Sequence, residues 1–191
     1  RQHSLQDIVN GITAIPVWAL GLATLLTVIN YGFLTGYDTL ATRFVRYPLP
    51  YRQTALVAVI SYAISNSVGF ALLSGSAIRY RFYTTWGLTA GQIGQIIAFC
   101  NLSFWIGLFA VGGLVFAVEP LSVPGILHLP FATVHPLGMM FLGIMAAYLI
   151  LSSFSRRSLK IRGWVLPHLP LNLSLAQIVV TSCDWALAAA V

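Results

Sequence analysis

Charge is what this sequence has least of. Lysine and arginine number 10 and aspartate and glutamate 4, so charged residues make up 7% of 191 positions, against about 25% in an ordinary soluble domain. With a hydrophobic fraction of 58%, that shortage excludes a water-soluble fold. Cysteine is also scarce. Cys100 and Cys183 lie in apolar stretches, which argues against a disulfide framework and for small buried hydrophobes. His128, His135 and His168 stand near segment ends close to prolines and lack the spacing of a metal site. There is no glycine-rich phosphate loop behind a strand and no Ser/His/Asp set, so no catalytic residue, metal ligand or cofactor is expected. An initiator methionine and a signal-peptide pattern are missing too. The chain stops inside the apolar "LAQIVVTSCDWALAAAV". It reads as one transmembrane domain, 1–191, cut from a longer membrane chain.

What fills the sequence instead is a succession of apolar windows of roughly the 20 residues that cross a bilayer. Spans are expected over 12–34, 54–73, 89–118, 134–154 and 173–191. The linkers between them are short, and three carry prolines: Pro48 and Pro50; Pro120, Pro124 and Pro130; Pro167 and Pro170. Basic loops orient the chain, because short loops rich in Lys and Arg stay in the cytoplasm. "TRFVRYPLPYRQ" and "SRRSLKIRGW" are therefore expected inside, and the linker from Glu119 to Thr133, free of Lys and Arg, outside. These sides conflict with a simple count of spans. Residues 54–88 must leave the cytoplasmic face and return to it, yet two full spans and a turn need about 40 residues. The expected fold is thus an all-α polytopic bundle with a re-entrant helical hairpin around residues 54–88. Its return limb runs over 76–88, and its break falls in "GFALLSGSA", near Gly69 and Gly75.

Polar groups inside the membrane are expensive, and each needs a partner or a function. Arg79 and Arg81 sit on the return limb, two positions apart and hence on different helix faces. The plain alternative is that both snorkel to headgroups beside Tyr80, Tyr83 and Trp86. Of the acids, Asp7 is in the leading stretch, Asp38 ends the first span, Glu119 closes the third, and Asp184 lies within the last. Asp184 is the costliest, and a neutralising pair with an arginine is expected. Asn30 and Asn101 read as interhelical hydrogen-bonding groups. Asn66, beside Ser61, Ser65 and Ser67, makes the first hairpin limb polar enough to line a cavity. Small-residue spacing at Gly32 and Gly36, and at Gly112 and Gly113, permits close helix packing. A weak echo links "LTAGQIGQIIAFCNLSFW" to "LSLAQIVVTSCDW". Duplications of that kind are common in transporters.

"LTGYDTLATRFVRYPLPYR", "SNSVGFALLSGSAIRYRFYTTWGLTAGQIGQIIAFCNLSFWIGLFAVGGLVFAVEP" and the closing "LAQIVVTSCDWALAAAV" resemble the membrane domain of the bacterial lysyl-phosphatidylglycerol synthetase/flippase family, the multiple peptide resistance factor proteins, and related membrane proteins of the same fold. The resemblance covers nearly the whole chain. It implies a multi-pass protein of the bacterial cytoplasmic membrane that moves an aminoacylated phospholipid between leaflets. It places the family's intramembrane acids on Asp38 and Asp184 and its arginine on Arg79; Arg81 and Asn66 join them on physical grounds. Nothing in the chain resembles the aminoacyl-tRNA-dependent synthase domain, so the chain itself is not expected to be an enzyme. Expected partners are the membrane, phospholipid, and a second copy or other membrane subunits, but not nucleic acid, because the net charge of +6 sits mostly in the two basic loops. Two other classes stay open. One is a transporter of a small anionic solute, and the other a structural subunit of a larger membrane complex.

Overall fold

The computed structural model describes residues 16–68, 71–119, 133–154, 159–161, 164–166 and 169–190. Within them run six helices: α1 (Val17–Phe44), α2 (Tyr51–Val68), α3 (Ala71–Thr85), α4 (Ala90–Val118), α5 (His135–Phe154) and α6 (Leu171–Ala190). Between α5 and α6 the basic loop carries two short strands, β1 (Leu159–Ile161) and β2 (Trp164–Leu166), paired antiparallel with Lys160 opposite Val165. The helices α1, α4, α5 and α6 are long and apolar enough to cross a membrane. The expected multi-pass bundle is therefore present. Asp7, His128, His168, Arg156, Arg157, Arg162, Gly69 and the prolines at 120, 124, 130 and 167 lie outside the described residues.

Local chemistry explains the helix ends. Thr89 caps α4 with a reciprocal box: its hydroxyl accepts from the Gln92 amide N–H, and the Gln92 side chain accepts from the Thr89 N–H at 3.0 Å. Pro16, Pro50, His135–Pro136 and Pro170 mark the starts of α1, α2, α5 and α6, where a missing backbone donor costs least. Both α1 and α3 close on the same double hydrogen bond. Tyr47 N–H reaches the Thr42 carbonyl and Arg46 N–H that of Arg43, while Leu88 N–H reaches Tyr83 and Gly87 N–H reaches Thr84. Such a closure needs one left-handed residue. Gly87 takes it at φ 86°, and Arg46 takes it at φ 57° despite its side chain.

The hairpin of α2 and α3 begins and ends at the same end of the bundle. The Tyr47 hydroxyl, just before α2, donates to the Trp86 carbonyl just after α3, at 3.1 Å. Val45, Leu49 and Leu88 join one apolar cluster with Tyr37, Leu40, Val57 and Tyr83. At about 23 Å, α3 is too short for the roughly 30 Å hydrocarbon layer, and it carries two arginines. Two details of the sequence reading change. The first span does not stop at Leu34: α1 continues through "TGYDTLATRF" to Phe44, so Asp38 lies inside a helix rather than at its end. Polar side chains there do not end the helix, because α2, α3 and α4 bury them. The return limb starts earlier than residue 76: α2 ends at Val68, α3 begins at Ala71, and α3 runs unbroken through Gly75. Gly75 serves close approach: a Cβ there would stand 2.8 Å from the Ser65 hydroxyl and 3.2 Å from Arg79 Nη1.

Candidate functional site

Asp38 on α1 and Arg79 on α3 meet in the interior, 0% and 6% exposed. The guanidinium grips the carboxylate with both arms: Nε donates to Oδ1 at 2.9 Å and Nη2 to Oδ2 at 2.7 Å. The Tyr83 hydroxyl, one helical turn along α3, adds a third donor to Oδ1 at 2.7 Å. The face of Tyr62 on α2 lies 4.9 Å from the guanidinium carbon, an added attraction for a desolvated cation. Asp38 stands six residues before the end of α1 and Arg79 six before the end of α3. Each is therefore about 9 Å along its helix from the basic end.

Asp184 on α6 has different company. Its Oδ2 accepts from the Tyr37 hydroxyl at 2.7 Å and its Oδ1 from the Asn30 amide at 3.0 Å, and the same amide bonds the Asp184 carbonyl at 2.9 Å. Both partners are neutral. Among the described residues the Arg79–Asp38 contact is the ion pair of this interior, and Asp184 has no cation beside it. Thirteen residues beyond Leu171, it lies about 20 Å along α6, farther from the basic end than Asp38. Tyr37 also packs edge-on against Tyr62, ring centroids 6.0 Å apart. One aromatic contact thus links the two acid sites.

The sequence reading named five site residues, and three of them belong to this network. Asp38 and Arg79 pair directly, and Asp184 is one tyrosine removed. Arg81 and Asn66 are exposed and point elsewhere. Ser61 and Ser65 on the same limb are buried, and the Ser61 hydroxyl finds no partner among the described residues. Asn30 does bond between helices, as expected. Asn101 does not: it is exposed and turns back to the Ile97 carbonyl of its own helix. Tyr37, Tyr62 and Tyr83 were not singled out for this site from the sequence. Their signal is spacing, since Tyr37 adjoins Asp38 and Tyr83 follows Arg79 by one turn.

A second, neutral network lies between α4, α5 and α6. Gln177, fully buried, donates to the Ser103 hydroxyl at 2.6 Å and accepts from the Tyr148 hydroxyl at 2.5 Å. Ser152 and Ser174 bond each other at 2.5 Å, and Ser152 also reaches the Leu169 carbonyl. These contacts tie the helices together in the way expected of polar glue in membranes. Gln92 and Gln177, the matching glutamines of the sequence echo, do different work: one caps a helix and the other fills its core. Among the described residues no group of His, Cys, Asp and Glu is placed to hold a metal ion.

No protein-family model matches the chain. It is 50% identical over all 191 residues to the uncharacterized protein slr0712 of Synechocystis sp., covering 59% of that protein. It is 29% identical over 174 residues, 91% of its length, to the inner membrane protein YbhN of Escherichia coli, covering 54% of it. The chain thus spans little more than half the length of these relatives. With four helices among the described residues long and apolar enough to cross a membrane, it is a multi-pass membrane protein homologous to an inner membrane protein.

Proposed function

We propose that the chain is part of a lipid-translocating domain that carries an aminoacylated phospholipid, of the lysyl-phosphatidylglycerol kind, between the leaflets of a bacterial cytoplasmic membrane. The observation that carries this reading is a count of charge. The described network holds two carboxylates, Asp38 and Asp184, and one guanidinium, Arg79, so one negative charge is left for a cargo to match when Asp184 is ionised. A lysyl headgroup has two ammonium groups against one phosphodiester, and so has one positive charge to spare. Plain phosphatidylglycerol and small anionic solutes have the wrong sign for such a site. The guanidinium fork that holds Asp38 is the same one a phosphodiester would take. In this reading the lipid phosphate displaces Asp38, which keeps the Tyr83 hydroxyl, while Asp184 receives the ammonium. Arg81, exposed beside Tyr80, meets headgroups at the surface.

Leaflet-resolved transport in liposomes holding the full-length protein tests this, with lysyl-phosphatidylglycerol and phosphatidylglycerol as rival cargoes. The wild type should move the lysyl lipid selectively. Asp184→Asn should slow it tenfold or more, since a hydrogen-bonded charge contact is worth about 1.5–3 kcal/mol. Equal movement of both lipids, or of neither, overturns the reading. One feature favours a structural role instead: the Arg79–Asp38 pair is bidentate and closed to solvent. The double replacement Arg79→Ala with Asp38→Ala separates the two. A packing pair would regain both stability and transport, whereas a carrier would regain stability alone.

A further inference from the structure

We infer that Asp184 binds and releases a proton within the membrane, so that a proton and the cargo's ammonium group take turns on the same carboxylate. This rests on the lipid-carrier reading for the cargo, but not for the proton. The two intramembrane acids of one network are provided for differently. Asp38 is fully buried, holds Arg79 with both oxygens and takes a third bond from Tyr83. In this structure it has a cation beside it. Asp184 is half-buried, lies farther from the basic end, and holds only a phenol and an amide.

The ionisable groups on the helices around Asp184 do not change that balance. Among the described residues those nearest to it are Tyr37 on α1, which bonds it, Tyr62 on α2, which packs on Tyr37, and the buried Cys100 on α4, while Arg43, Arg52 and His135 stand toward the ends of their helices. The near groups are phenols and a thiol, not cations. Arg79 of α3 is already committed to Asp38. A bare carboxylate at such depth is costly. It has two inexpensive states: protonated, or joined to a cation that arrives with the cargo. Passing between them makes the site an exchanger. An ammonium headgroup enters as the proton leaves, and the proton returns when the headgroup has gone. A site of this construction would couple lipid movement to a proton gradient without any nucleotide-binding part.

Dicyclohexylcarbodiimide, an apolar reagent that reaches protonated carboxyl groups from the lipid phase and takes their O–H across its C=N bond to leave an acylurea, tests the inference on the full-length protein in vesicles, with modified residues located by peptide mass mapping. Asp184 should be modified and Asp38 should not. Modification of Asp184 should fall as pH rises, about tenfold per pH unit beyond its midpoint. An unreactive Asp184, or one modified equally at every pH, overturns the inference. Lysyl-phosphatidylglycerol in the vesicles should protect Asp184, and phosphatidylglycerol should not. Modification that depends on pH but ignores the lysyl lipid supports the proton site and rejects the aminoacyl-lipid cargo.

Discussion

At the scale of single residues, the cost of burying charge was enough to find the acids and the arginine. Asp38, Arg79 and Asp184 stand out in any apolar sequence, and the structure gathers them. The tyrosines did not stand out, because a tyrosine in a membrane protein is as much at home in the interfacial belt as in the core. Which role Tyr37, Tyr62 and Tyr83 take is decided by helix rotation, which charge spacing alone does not reveal. Asp38→Ala should lower stability by about 3–5 kcal/mol, since it strands a buried guanidinium. Adding Arg79→Ala should recover a large part of that loss, as thermal unfolding in detergent will read out. Tyr37→Phe should cost less, about 0.5–1.5 kcal/mol, because it removes one hydrogen bond to Asp184 and leaves the ring in place. The same unfolding series ranks it between wild type and Asp38→Ala.

At the scale of helices, boundaries marked by prolines and caps were legible to within a few residues, as at Thr89 and His135. The end of α1 was not. "TGYDTLATRF" looks like the start of a polar loop, and only the burial supplied by neighbouring helices keeps it helical. Small residues were likewise visible as packing signals without showing which of them matter. The structure sorts them. A Cβ at Gly107 would come 2.8 Å from the Thr181 carbonyl oxygen and closer still to Trp185, with backbone that cannot swing aside. At Gly36 the nearest atom is a methyl of Val180 at 2.9 Å, and around Gly32 nothing lies within 4 Å. Replacement by alanine should therefore cost about 1–3 kcal/mol at Gly107, less at Gly36, and little at Gly32. Unfolding temperatures of the three variants check the order, and a Gly32→Ala variant weaker than Gly107→Ala would contradict it.

At the scale of the molecule, the parity of the spans was written in the positions of a few arginines, and the hydrogen bond between Tyr47 and Trp86 expresses it in three dimensions. Side-chain networks were not written there, because they depend on which faces of distant helices meet. Single cysteines at exposed positions should report the arrangement in vesicles. Arg52→Cys and Thr85→Cys should react with an impermeant maleimide from one side, and Glu119→Cys from the other. Labelling of Thr85→Cys from the same side as Glu119→Cys would refute the return of the hairpin. The closed ends of that hairpin also bear on how the chain is made. A segment that leaves and re-enters by the same face changes no other helix's direction. The insertion machinery can thread α1, α4, α5 and α6 as though residues 51–85 were absent. The piece bearing Arg79 is then free to settle late, drawn into place by an acid already waiting on α1.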